Sequence, residues 1–438
     1  MEASLTATNV HVNNHIPDDI ILSILSKLPL KSFKRFECVR KSWSLLFDDP
    51  YFITMYRNNL LSNDCSYYDD TCLLVGVTKG IRCYAQMGVV LVDDVYSLSG
   101  ENFENSVKLD WTNPCPEDWD LDLDGDPGYS GFGIMGSTSV NGILCVCAFY
   151  NSDWKLILWN PTTKEFKDIP SSPGESDPIF NVMAVTPRYH LVGYDRIKDD
   201  YKVIRFMDCD GDDDDDYDDD DDYDDDDDDD YDDDDDDDYD DKLVSFWEIY
   251  SLNSNLWRKI DRKIDVDMPL YIDTKVVYMD GVSHWRDENE THTYLVSFDF
   301  GNESFTTTPI PSYMDAVSLA VTKDVVILNG AIAFILSYKM TSTVHISILG
   351  ELGVKESWTK LFVVGPSPCL NYPIVAAKKG KILFRSRDTK QNKEGLVWFD
   401  LSTGMIDKID LTTKISGCWT RCILFHKESI LPIGGIYK

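Results

Sequence analysis

An apolar anchor, a polar turn and a second apolar residue recur along this chain, and the spacing of that unit restricts the fold more than any other feature. The copies are VYSLSGENF (Tyr96, Phe103), LWNPTTKEF (Trp159, Phe166), IYSLNSNLW (Tyr250, Trp257), SFDFGNESF (Phe298, Phe305) and WFDLSTGMI (Phe399, Ile406), each with its apolar residues seven apart. A looser copy, ILGELGVKESW, puts Leu349 and Trp358 nine apart. Tyr250, Phe298, Leu349 and Phe399 follow one another at 48, 51 and 50 residues. The earlier intervals, 63 and 91, contain an acidic stretch (Pro114–Gly128) and a long aspartate run, and subtracting these brings both nearer the common period.

Strands that open on a glycine turn precede these units: NGILCVC from Asn141, DGVSHW from Asp280, NGAIAFIL from Asn329 and KGKILFR from Lys379. The glycine-to-anchor intervals are 17, 17, 19 and 19. Asn-Gly and Asp-Gly before an apolar run signal a tight hairpin, because both residues tolerate positive φ. A period near 50 with several strands per unit is the mark of kelch-type propeller blades. One four-stranded sheet cannot hide both its faces, whereas sheets set radially hide one another. Six anchors give an all-β, propeller-like domain of about six blades over residues 71–435, with 415–435 supplying the strand that closes the ring. A β-sandwich or a solenoid of hairpins is the competing arrangement.

Ahead of this body, residues 14–57 have a helical period. Ile20, Ile21, Ile24, Leu25 and Leu28 form one apolar stripe, with Pro17 at the entry and Asp18 or Asp19 as N-cap. Pro29 ends that helix. Ser32 can cap a second helix carrying Phe33 and Phe36, and Val39, Trp43 and Leu46 make a third stripe. Three short helices bury little surface, so the surplus apolar residues suit either a partner or the domain behind them. The fold class is therefore α+β multidomain: a polar tail (1–13) expected to be disordered, a three-helix head, a connector from 58 to 70, and the β body.

The head resembles an F-box, the adaptor-binding module of SCF-type ubiquitin ligases. The match runs through Pro17, Asp19, Ile20, Ile24, Leu25, Leu28, Pro29, Leu30, Lys31, Ser32, Phe33, Arg35, Phe36, Cys38, Val39, Lys41 and Trp43. Ile16 replaces the usual leucine, and Glu37 stands where a basic residue is common. The body resembles the plant F-box-associated domain through Gly142, Trp159, Asn160, Pro161, Thr163, Pro170, Gly193, Tyr194, Asp195, Asp200, Tyr201, Lys202 and Val203. The later element Glu248, Tyr250, Ser251, Leu252, Ser254, Trp257 and Arg258 also fits. The resemblance implies a non-catalytic substrate receptor. Its head would bind a Skp-family adaptor and, through it, cullin and a RING subunit, and its body would bind a target protein that the sequence does not name. Pro17, Ile20, Ile24, Leu25, Leu28, Pro29, Phe33, Val39 and Trp43 are the residues expected to carry or support the adaptor contact.

The net charge of −36 is concentrated: Asp208–Asp241 holds 28 aspartates, which leaves −8 for everything else. No basic face points to nucleic acid. The run cannot fold alone, since like charges repel, and it reads as a solvated insertion (208–241) between two strands of one blade. The alternative is a stand-alone interaction scaffold built on this acidic, calcium-binding or base-capturing loop. Asp120, Asp122, Asp124 and Gly125 imitate half an EF-hand loop, but Pro127 and Gly131 stand where the second half needs ligands. His284 and His292 flank acidic residues (Asp287, Glu288, Glu290) at a spacing zinc does not favour, and a surface hairpin is the simpler reading. No metal, cofactor or catalytic signature is expected. The 11 scattered cysteines read as reduced thiols, the first residues lack a signal-peptide pattern, and no window reaches the length of a membrane span. Cytoplasm or nucleus is the expected location.

Overall fold

The computed structural model describes residues 16–28, 30–46, 49–61, 71–78, 83–84, 89–90, 92–100, 102–110, 130–150, 153–173, 185–209, 246–260, 275–288, 292–314, 321–367, 370, 372–377, 380–388, 393–409 and 419–434. The polar tail, Pro29, the EF-hand-like stretch before Ser130 and the aspartate run from Asp210 lie outside them.

Six four-stranded antiparallel blades form a closed β-propeller. Blade 2 is Ser130–Val140, Ile143–Tyr150, Asp153–Asn160 and Glu165–Ile169. Blade 3 is Val185–Asp195, Asp200–Cys209, Phe246–Ser251 and Leu256–Lys259. Blade 4 is Val276–Met279, Val282–Glu288, Thr293–Asp299 and Ser304–Pro309. Blade 5 is Val321–Leu328, Ala331–Tyr338, Thr343–Leu349 and Trp358–Val364, and blade 6 is Tyr372–Ala377, Lys381–Asp388, Lys393–Asp400 and Ile406–Ile409. Blade 1 joins both ends of the chain: Trp419–Lys427 pairs antiparallel with Thr71–Thr78, followed by Asp94–Ser99 and Asn105–Lys108. The C-terminal strand therefore closes the ring, as expected. Apolar clusters fill every seam, including the one between blades 6 and 1, where Leu73, Leu98, Leu383 and Trp398 are buried together.

The anchors of the repeat are directly opposed residues on the outer two strands of a blade. Trp159 faces Phe166, Tyr250 faces Trp257, Phe298 faces Phe305, Leu349 faces Trp358 and Phe399 faces Ile406. Aromatic pairs across strands stabilise a sheet beyond their buried area. The turn between them is built by the residue after the anchor. Asn160, Asp299 and Asp400 each accept two backbone N–H groups of the turn on one Oδ1, at 2.8–3.3 Å. The turn ends on a residue with positive φ: Lys164, Asn255, Glu303 or Gly404. The first copy departs from this. Tyr96 faces Lys108, while Phe103 lies in the turn at φ 54° and stacks on Trp398 of blade 6 at 5.7 Å. The Asn-Gly and Asp-Gly turns are two-residue connections with both φ values positive at 141–142, 280–281 and 329–330.

The head contains α1 (Asp18–Leu25), α2 (Leu30–Glu37), α3 (Lys41–Ser44) and α4 (Pro50–Leu61), one helix more than the sequence reading gave. Pro17, rather than an aspartate, is the N-cap residue of α1, and no side chain caps it. Leu30 begins α2, so Ser32 lies within its first turn instead of capping it. Asp49 caps α4 through the N–H groups of Tyr51 and Phe52 at 2.8 and 3.1 Å, and α4 continues past residue 57 into the expected connector. Among the described residues no helix is long and apolar enough to cross a membrane.

Candidate functional site

The head divides the nine expected residues into two sets. Leu25 and Phe33 are buried with Leu30, Leu46, Phe52, Ile53 and Tyr56, and Phe33 stacks on Phe52 at 5.1 Å. Leu28 and Trp43 are half-buried against this core. Pro17, Ile20, Ile24 and Val39 face solvent, at 47% exposure for Ile20, 52% for Ile24 and 68% for Val39. Pro29 lies outside the described residues. The sequence reading missed Ile16, Phe36, Leu45 and Tyr51, which are also large, apolar and exposed.

This surface has a simple origin. Ile20 and Ile24 are four apart on α1 and so stand one above the other, while Ile16 lies just before the N-cap. Leu25 leaves that row and turns inward. Asp18 of α1 and Arg40, the N-cap residue of α3, form an exposed ion pair at 3.8 Å. Phe36 packs on Trp43 at 5.9 Å between the exposed row and the core. Ile16, Ile20, Ile24 and Val39 stay exposed beside a packed core; exposed apolar patches in general mark interaction sites.

The motif from Gly193 to Lys202 serves packing between blades 3 and 4. A Cβ on Gly193 would lie 2.1 Å from the Phe300 ring, so only glycine admits that ring. Lys202 is buried and donates to Asp195 Oδ2 at 2.7 Å, the Phe300 carbonyl at 2.8 Å and Glu303 Oε1 at 2.7 Å. Burial raises the Asp195 pKa, but the hydrogen bonds from Lys202, Lys198 and Ile197 outweigh it and hold the carboxyl below its usual range. Asp200 accepts from Ser251 Oγ and the Asn253 N–H, fixing the blade's outer turn. Arg205 pairs with Glu248 and lies 4.2 Å over Trp257, whose indole N–H donates to the Pro170 carbonyl of blade 2.

His284 and His292 do not converge. His284 is buried in blade 4, bonded to Ser297 Oγ at 2.8 Å, and burial pulls its pKa down to about 4. It is therefore not part of a surface hairpin. His292 is exposed at the far end of the next strand. Among the described residues no group of three His, Cys, Asp or Glu could hold a metal ion. Cys72, Cys145 and Cys147 are buried free thiols, while Cys38 is exposed. A cavity of about 20 Å³ at the junction of head and propeller has room for a water, not a metabolite.

The model of the F-box associated beta propeller domain matches residues 121–433. The chain belongs to that family. Its head makes it a plant F-box protein, and relatives match across both parts. F-box protein CPR1 of Arabidopsis thaliana is 24% identical over 421 residues, covering 92% of this chain and 85% of that protein. F-box only protein 8 of the same plant is 24% identical over 306 residues, covering 68% of this chain and 81% of that one. F-box protein At2g40925, also from Arabidopsis thaliana, is 31% identical over 189 residues, 43% of this chain and 38% of its own length. The motif from Gly193 to Lys202 forms the blade-to-blade joint described above.

Proposed function

We propose that this F-box protein is the substrate-recognition subunit of an SCF-type ubiquitin ligase. The head docks a Skp-family adaptor, which brings cullin and the RING subunit, and the propeller holds a target protein. The chain does no covalent chemistry. It raises the effective concentration of the target beside the ubiquitin-charged enzyme. The observation that carries this reading is the exposure of Ile16, Ile20, Ile24 and Val39 on a head that buries Leu25, Phe33 and Phe52 in its core. A helical face of this kind suits an apolar groove on a partner.

The second and third strands of each blade meet at the end away from the head, because strands alternate in direction. Loops at that end are where a target would be read. Free thiols at Cys38, Cys72, Cys145 and Cys147 support work in the reducing cytoplasm or nucleus, and a fluorescent fusion found only in the secretory pathway would contradict this. The test of the main reading is affinity capture from plant extract, wild type beside Leu28→Ala/Pro29→Ala. Capture of adaptor and cullin by wild type alone supports it; equal capture by both, or by neither, contradicts it.

A further inference from the structure

The C-terminal residues after the ring-closing strand touch three structures at once. Asn160, buried at the end of a blade 2 strand, donates from Nδ2 to the carbonyls of Ser429 at 3.1 Å and Leu431 at 2.9 Å. The Ile433 N–H donates to Glu165 Oε2 at 3.0 Å. Ser429 packs on the Asn-Gly turn so closely that a Cβ on Gly142 would lie 2.4 Å from it. On its other side the tail enters the head: Ile430 and Leu431 are buried with Leu25, Phe33, Phe52, Ile53 and Tyr56. The core of the head is thus completed by residues from the far end of the chain.

A polar contact stands beside this apolar one. Arg57 of α4 forms an ion pair with Asp199, in the first turn of blade 3. Asp199 is held at φ 52° and also accepts a hydrogen bond from the Tyr194 hydroxyl. The pair is partly shielded, at 20% and 38% side-chain exposure, so salt screens it less than a fully exposed pair. Leu61, at the end of α4, packs against the main propeller core that contains Ile433.

We propose that residues 428–434 are a strap that fixes the head in one orientation on the turn face of blades 2 and 3, with Arg57 and Asp199 as the positioning pair. The geometry stands by itself; its consequence rests on the ligase reading, in which a fixed head holds the bound target at a constant offset from the adaptor. The strap ties the placement of the head to ring closure, because the same segment continues from the strand paired with Thr71–Thr78.

Hydrogen exchange on the full chain tests this, comparing wild type, Arg57→Glu, Arg57→Lys and a chain ending at Lys427. Arg57→Glu should speed exchange of the α4 and tail amides by about tenfold, with the blade 5 strand Ala331–Tyr338 unchanged, and Arg57→Lys should return them to about wild-type rates. The shortened chain should speed α4 further while the Trp419–Lys427 ladder stays protected. Unchanged α4 exchange in both Arg57→Glu and the shortened chain would overturn the strap, as would equal acceleration in blade 5. Adaptor capture is a separate arm: its loss from wild type refutes the ligase reading and leaves the exchange result to decide the strap.

Discussion

Lys202 shows how a single buried side chain can hold two blades. Its ammonium has three acceptors within 2.8 Å, two of them carboxylates. Removing one partner of a buried ion pair leaves uncompensated charge, so Lys202→Met should cost on the order of 3–5 kcal/mol in denaturant unfolding. Lys198, exposed and 3.9 Å from the same Glu303, should cost less than about 1 kcal/mol when changed to Ala. Equal losses would contradict the joint between blades 3 and 4. Gly193, Asp195 and Lys202 stand out in the sequence, but their role does not, because Phe300 and Glu303 are about a hundred residues away. In the head, helical period placed Leu25 and Ile24 on one stripe; only the packed core reveals that neighbours in the chain point to opposite sides. Two buried histidines link folding to pH. Burial depresses His284 and His426 to about 4, so both are neutral in the fold, whereas the unfolded chain takes up protons below about 6.5. Their contribution to stability is complete above pH 6.5 and is lost as pH drops toward 4. Thermal unfolding followed from pH 7 to pH 5 should show a falling midpoint, and His284→Asn should flatten that slope.

At the scale of elements, the turn after each anchor is the most repeated device. Asp299 accepts two backbone N–H groups and the Asn302 amide, so Asp299→Ala should destabilise by about 0.5–1.5 kcal/mol. The anchor spacing of seven made four of these hairpins legible, since it matches a four-residue turn between directly opposed residues. It misled at Phe103, because a longer turn places that aromatic at positive φ and sends it to blade 6. Helix α4 was underread despite its Asp49-Pro50 start signal, because its apolar residues pack in two directions, toward the head and toward the tail. The aspartate run joins strands that pair without it, from Lys202 with Ser251 to Met207 with Phe246. Replacing 211–242 by a four-residue turn shortens the closed loop and should raise stability by about 1–2 kcal/mol. A large loss on calorimetry would make the run part of the fold, contrary to its reading as an insertion.

For the whole molecule, ring closure and head placement depend on the same C-terminal residues. Trp419–Lys427 is the inner strand of blade 1, and 428–434 completes the head. A chain ending at residue 418 should therefore lose cooperative unfolding of the propeller, whereas one ending at Lys427 should keep it. The period near 50 residues made the ring and its closing strand legible, but not the strap, which has no repeat and no motif. The central claim is that the exposed isoleucine row of the head is the adaptor contact, and binding of purified full-length protein to a purified plant Skp-family adaptor tests it most directly. Wild type should bind, Ile20→Asp/Ile24→Asp should weaken binding at least about a hundredfold while leaving the melting midpoint unchanged, and the paired control Lys34→Ala should bind as wild type. Equal affinity for wild type and the isoleucine variant would contradict the account.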